Sequence, residues 1–345
     1  MTSHTSQPSP AHSTAPGHTD HAVDDRVLPF HVDGLDVRGR VVRLGTSLDA
    51  VLAHHTYPPA VKRLLGEAVA LTVLLGSTLK ISGRFILQTR TDGPVDLLVV
   101  DFTAPHDVRA YARFDAERLK ALEAQTVGQR ADSGALLGHG HLAMTIDQGV
   151  EMNRYQGVVA LEGGGLEEAA HQYFTQSEQI PTRVRLAVAE EMRPGGAASS
   201  WRAGGIMVQF LPTEGGRLRP ADLHPGDAPE GTELPVTEED DSWVEALSLV
   251  ATVEDLELVD SDLPSEQLLF RLFHERGVRV FDAETIKAKC SCSRERVTGV
   301  LASFTREERG DLVEDGKIVV TCEFCGRSYA FKAEEILDHE EPPAE

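Results

Sequence analysis

The sequence predicts an α+β fold: a large N-terminal domain of mixed sheet and helix, a helical acidic linker, and a small C-terminal zinc-binding domain. Three observations predict it. Strand-like stretches arrive in groups with helices between the groups, instead of in regular βαβ alternation. The window 221–262 holds fourteen Asp or Glu and no Lys or Arg. All four cysteines lie beyond residue 289, in "KCSCSRER" and "CEFCG".

Residues 1–25, "MTSHTSQPSPAHSTAPGHTDHAVDD", hold little to bury and read as a disordered tail. They lack the basic start and apolar stretch of a secretory signal, so the expected location is a reducing cytoplasm. The irregular spacing of His4, His12, His18 and His21 favours solvated side chains over metal ligands.

Residues 26–213 form the expected N-terminal α+β domain. "VRGRVVRLG" (37–45) alternates like a strand, and "SLDAVLAHH" (47–55) reads as a short helix capped by Ser47. "PAVKRLLGEAVALTVLLGSTLK" (59–80) is a long, almost uniformly apolar helix opened by prolines, which belongs in a core. "GRFILQTR" and "VDLLVVDF", joined by "TDGP", read as a hairpin. "HLAMTID" and "RYQGVVALEG" are further strands, "LEEAAHQYFTQS" (166–177) is an amphipathic helix, and "RVRLAVAEE" and "GIMVQFLP" are two more strands. The glycines of "RPGGAASSWRAGG" (193–205) read as a flexible connection between them.

This domain carries no catalytic signature. Neither "LEGGG" (161–165) nor "GHGH" (138–141) has the spacing of a phosphate-binding loop. His54, His55, His141 and His171 stand without a neighbouring acid or cysteine pattern, so surface or core roles are expected. The chain reads as a non-enzyme. Its net charge of −22 repels phosphate backbones and anionic lipid, which argues against nucleic acid as a partner. No apolar run reaches the roughly 18–20 residues of a membrane span; the longest, "AVALTVLLG" (68–76), suits a buried helix.

Residues 214–285 form the expected linker, Pro/Gly-rich at first and then acidic. In "EDDSWVEALSLVATVEDLELVDSD", Trp243, Leu247, Val250 and Leu256 fall at helical spacing. Two readings stand side by side: an acidic solvated helix, or an element held folded only by its neighbours because its charge repels itself. "SEQLLFRLFHERG" (265–277) is a second helix with Gly277 as C-cap, leading through strand-like "VRVFD" to the cysteines.

A C-x-C (Cys290, Cys292) and a C-x-x-C (Cys322, Cys325) supply four thiolates, the number a tetrahedral zinc ion takes. "GKIVVTCEFCGRSYAF" (316–331) has the form of a zinc knuckle on a hairpin. Residues 286–335 are expected to be a zinc-binding domain with one Zn2+ per chain, followed by an acidic tail at 336–345. Three readings of the cluster remain open on spacing: a structural zinc ribbon, a thioredoxin-like dithiol that its hairpin context disfavours, and a thiol switch in which oxidation consumes the ligands.

"KCSCSRER" followed by "CEFCGRSYAF" resembles the zinc-binding end of the heat-shock protein 33 family. "LLGEAVALTVLLGSTLK", "TDGPVDLLVV", "RYQGVVALEG", "YFTQSEQIPT", "AGGIMVQFLP" and "LLFRLFHE" resemble that family's pattern in the same order, from about residue 27 to 335. The resemblance implies a redox-regulated, ATP-independent holdase chaperone that binds unfolding client proteins under oxidative and heat stress. It implies that Cys290, Cys292, Cys322 and Cys325 bind zinc in a reduced, inactive form. It also implies that oxidation pairs Cys290 with Cys292 and Cys322 with Cys325, releases zinc, unfolds the linker, and yields a homodimer. The resemblance favours the neighbour-dependent reading of the linker. The alternatives to the switch are a zinc-ribbon binding module on an α+β scaffold and a thiol oxidoreductase. The polar tail and the long connection after Pro212 depart from the family pattern.

Overall fold

The computed structural model describes residues 24–79, 83–126, 131–148, 154–192, 199–211 and 240–337. Residues 1–23, the first part of the linker and the last eight residues, on which expectations above fall, lie outside these. The chain begins with β1 (Arg26–Val32), β2 (Val37–Leu44), α1 (Thr46–Leu52) and α2 (Pro59–Gly76). A meander follows of β3 (Arg84–Thr91), β4 (Val95–Thr103) and β5 (Asp107–Phe114). Next come α3 (Ala116–Gln125), α4 (Ser133–Leu137), β6 (His139–Asp147), β7 (Tyr155–Glu162), α5 (Leu166–Tyr173), β8 (Thr182–Glu191) and β9 (Ser200–Phe210). The linker region contributes α6 (Asp241–Ala251), α7 (Asp255–Val259) and α8 (Ser265–Phe273). Three short strands, β10 (Val278–Val280), β11 (Glu284–Thr285) and β12 (Lys287–Ala288), lead to the C-terminal region. There α9 (Arg294–Ala302), α10 (Arg306–Asp311), the hairpin β13 (Lys317–Thr321) and β14 (Ser328–Lys332), and α11 (Ala333–Leu337) complete the chain.

Two sheets sandwich α2. The first runs β10-β1-β2-β9-β8, with β11 also on β1, and the second runs β12-β5-β4-β3-β6-β7. Helix α2 touches strands of both, and Ala68 through Leu75 are buried on every side, as expected of a helix without a polar face. Pro59 in its first turn fixes a helical φ where no intrahelical N–H bond is lost.

The first sheet is apolar on both faces. Along β9, Ala203 and Met207 belong to the core around α2, whereas Ile206, Val208 and Phe210 belong to a second core formed with α6, α7 and α8. Strand alternation explains the division, because neighbouring side chains point to opposite faces. The linker helices thus form an outer layer over one face of this sheet.

Several expectations are corrected. Ser47 is not a cap: Gly45 holds the N-cap of α1, and the Ser47 hydroxyl, inside the first turn, donates to Asp25. The helix at 166–177 ends as an α-helix at Tyr173 and widens into a π-helical turn at Phe174–Glu178. Gly204 and Gly205 lie within buried β9 instead of a flexible connection. They are there because other groups approach: a Cβ on Gly204 would meet the Leu258 carbonyl oxygen at 2.0 Å, and one on Gly205 would meet Leu74 Cδ1 at 3.0 Å. In the linker, Trp243 and Val250 are buried as expected, but Leu256 is 72% exposed and Leu258 and Val259 carry the contact instead. The break at 252–254 between α6 and α7 shifts the helical phase. The β1 and β5 strands and the short helices α3 and α4 were not predicted.

Candidate metal centre and its attachment to the core

Each cysteine pair is placed by a local device. Cys290 and Cys292 lie between β12 and α9, whose N-cap Ser293 accepts from the Arg296 amide. Cys322 and Cys325 sit in the β13–β14 turn, where the Cys322 amide donates to Arg327 O at 2.9 Å and the Gly326 amide to Cys322 O at 2.8 Å. Gly326 adopts φ 65°, a left-handed conformation that glycine takes without strain.

The four sulfurs converge within 4.8 Å of one another. Cys290 Sγ lies 3.7 Å from Cys322 Sγ and Cys292 Sγ 3.3 Å from Cys325 Sγ, so each sulfur of the C-x-C touches one of the C-x-x-C. A tetrahedral ion with bonds of about 2.3 Å spaces its thiolates by roughly 3.8 Å, and an all-sulfur donor set suits zinc. The residues fit the ion. Among the described residues this is the one cluster with metal-binding geometry.

Two side chains that sequence reading missed contact the sulfurs. The Tyr329 hydroxyl donates to Cys292 Sγ at 3.2 Å. Arg109, on β5, reaches Cys290 Sγ at 3.8 Å. Burial raises the Cys292 thiol, but hydrogen bonds from Tyr329 and the other thiols outweigh it and bring the pKa down to about 7. Burial, together with its sulfur neighbours, pushes Cys325 up to about 12, and burial raises Cys322 as well. The surroundings thus lower the Cys292 thiol and raise those of Cys322 and Cys325.

The domain around the sulfurs has a small core of its own. Leu301, Ile318, Phe331 and Ile336 are its buried apolar side chains. Arg294 lies over the Phe331 ring at 4.2 Å and donates to Ala330 O at 2.7 Å, tying α9 to the hairpin.

A strap, residues 278–289, joins this domain to both sheets. β10 and β11 pair with β1, while β12 pairs in parallel with β5. Ile286 buries its side chain in the core around α2. The zinc-knuckle turn also meets α1's exit, where His55 Nε2 lies 2.6 Å from Glu323 O.

The linker is fastened to the first sheet by two arginines. Arg43, 1% exposed, donates to Glu257 O (2.6 Å), Asp260 O (2.7 Å), Leu258 O (3.2 Å) and Ser265 Oγ (3.2 Å). Arg202 donates to Val259 O at 2.6 Å and pairs with Asp24 through both carboxylate oxygens at 2.5 Å. The end of α7 thus delivers its unsatisfied carbonyls to buried cations, the arrangement the helix dipole favours. Around the rim, Arg276–Glu245, Arg271–Glu257 and Arg26–Glu266 are partly exposed pairs of small individual worth.

His171 Nε2 accepts the Val184 amide at 2.9 Å, and burial, then Arg183, lowers its pKa to about 4, so it is a neutral structural acceptor. No helix among the described residues is long and apolar enough to cross a membrane.

Comparison with known proteins places this architecture among the chaperones. A family model described as "Hsp33 protein" matches residues 25–332. The 33 kDa chaperonin of Caulobacter vibrioides (strain NA1000 / CB15N) is 46% identical over 308 residues, covering 89% of this chain and 94% of that protein. The 33 kDa chaperonin of Ectopseudomonas mendocina is 38% identical over 309 residues, covering 89% and 92%. The crystal structure of the Thermotoga maritima 33 kDa chaperonin shares the fold, with a TM-score of 0.69, 22% identity, and coverage of 91% of this chain and 98% of that one. The chain belongs to the Hsp33 family.

Proposed function

We propose that this protein is a redox-regulated, ATP-independent holdase that binds unfolding proteins in the cytoplasm under oxidative and heat stress. The observation that carries the reading is the stacking of the acidic linker over an apolar sheet face, with the linker continuous through the strap into the four-thiol domain. In the reduced form Cys290, Cys292, Cys322 and Cys325 hold one zinc ion, which supplies the cross-link that four buried apolar side chains do not.

One peroxide per cysteine pair takes two electrons and, with two protons from solvent, leaves as two waters, closing Cys290–Cys292 and Cys322–Cys325. All four donors are then consumed and the ion is lost. The small domain unfolds, and the linker, rich in like charge, loses the support at its C-terminal end. Its departure uncovers Leu28, Phe30, Val41, Ile206, Val208 and Phe210, a contiguous apolar surface fit for unfolding clients or for a second copy in an oxidised homodimer.

The test follows zinc release, free-thiol count and suppression of client aggregation together during peroxide treatment at elevated temperature. The three should change in step. Equal suppression by reduced and oxidised protein would overturn the switch.

A further inference from the structure

Arg109 joins three structures that the switch must connect. Its Nε and Nη2 donate to Asp101 Oδ2 at 3.0 and 2.6 Å, and the Asp101 side chain is buried. Its Nη1 reaches Cys290 Sγ at 3.8 Å. Its guanidinium lies over the Phe324 ring, 4.1 Å from the centroid, and Phe324 stands between Cys322 and Cys325. One core side chain therefore touches both halves of the thiol site. Beside it the strap is pinned to β5: the Lys287 amide donates to His106 O at 2.8 Å, the Lys289 amide to Val108 O at 3.0 Å, and Lys289 Nζ pairs with Asp107 at 2.8 Å.

We infer that Arg109 is the positioning residue through which the core senses the oxidation state of Cys290. The inference rests on the redox reading above. A sulfur carrying negative charge accepts a charge-assisted hydrogen bond from guanidinium. When Cys290 and Cys292 close a disulfide, each thiolate gives up one electron to a peroxide, which takes up two protons from solvent and is reduced to two waters. The resulting sulfur is neutral and a poor acceptor. Asp101 stays bound, so Arg109 remains in the core while its hold on the C-terminal domain falls away. Phe324 makes the hold sensitive to the other pair, since closing Cys322–Cys325 re-forms the turn that carries the ring. Undocking then frees β12 from β5, and the strap transmits the release toward β10 and α8.

The experiment is hydrogen–deuterium exchange of the Lys287 and Lys289 amides in the full-length, zinc-loaded, reduced protein and again after peroxide treatment. Wild type, Arg109→Gln, Arg109→Lys and Phe324→Leu are compared, with zinc content and thiol count measured on each. In reduced Arg109→Gln, with one zinc and four thiols retained, both amides should exchange at least tenfold faster than in wild type. Oxidation should then add little, because the contact it breaks is already gone. Arg109→Lys, which keeps charge without fork or stack, should fall between. Phe324→Leu perturbs the same hold from the turn side and decides the matter if Arg109→Gln does not fold. Wild-type exchange in either reduced variant, loss of zinc from Arg109→Gln, or a full oxidation increment persisting in it would overturn the role. Failure of the holdase reading would show separately, as oxidised wild type that does not suppress aggregation.

Discussion

Arg43, buried in the first sheet, donates to the main-chain carbonyl of Glu257 at 2.6 Å, and the same guanidinium reaches Leu258, Asp260 and Ser265. The linker is thus gripped by its backbone, so the grip does not depend on which acidic side chains the linker carries. Burial lowers the Arg43 pKa to about 10, which leaves it charged at neutral pH.

Replacing Arg43 by Met should weaken linker docking by about 2–4 kcal/mol, since the carbonyls at the end of α7 lose a charged donor. Trp243, 7% exposed and 6.0 Å from Phe210, reports the outcome. In the reduced, zinc-loaded variant its emission should shift to the red, and protease should cut within residues 240–276 under conditions that spare wild type. Unchanged emission and cleavage would show that apolar contacts alone hold the linker.

Gly204→Ala tests the same docking by shape. The added methyl would lie 2.0 Å from the Leu258 carbonyl oxygen, and overpacking of this kind costs typically about 1–3 kcal/mol. α7 is the movable partner, because β9 is paired on both sides. Partial constitutive exposure of an apolar-dye-binding surface is expected, with the thiols still reduced.

Removing the metal should unfold the C-terminal domain selectively. With a strong chelator and all thiols reduced, amides of residues 294–332 should lose exchange protection while those of α2 keep theirs. Cys322→Ser should show the same pattern and a zinc content near zero. Protection that survives chelation would mean that Leu301, Ile318, Phe331 and Ile336 suffice as a core.

The sequence and the structure agree where chemistry is local. Four cysteines in tight pairs and an apolar stretch that fills α2 mark themselves, because ligand spacing and helical burial both act over short ranges. Arg43 was not legible, since an arginine in an alternating strand has the pattern of a surface residue until helices from more than 200 positions away cover it. Gly204 looked like a loop glycine for the same reason: the Leu258 carbonyl that demands its small size is remote in sequence. Leu256 fitted a continuous helix and was exposed by the phase shift between α6 and α7. Arg109 gave no signal, since its partners Asp101, Cys290 and Phe324 meet only in the folded chain.

The Glu67 carboxyl gives a pH dependence unrelated to the thiols. Burial, reinforced by Glu167 and Asp255 and opposed by Ser133 and Arg63, raises its pKa from 4.5 to about 7. Between those values the folded state holds a proton that the unfolded chain has lost, so this contribution to stability is full below about pH 4.5 and disappears as pH rises through 7. Glu67→Gln should therefore gain stability on wild type as pH goes from 5 to 8. The relative gain is about 2 kcal/mol once partial solvent contact is discounted. Thermal unfolding of both proteins across that range provides the check; parallel curves would sink it.

The strap also bears on how the chain is made. β1 and β5 receive their outer partners from residues 278–289, which a ribosome releases after the rest of the two sheets. Until then the growing molecule carries two bare strand edges, the feature through which β-rich chains stick to one another. A product truncated after Gly277 would keep those edges for good, so the C-terminal segment ends, on its release, the interval in which the new chain is open to edge-to-edge association.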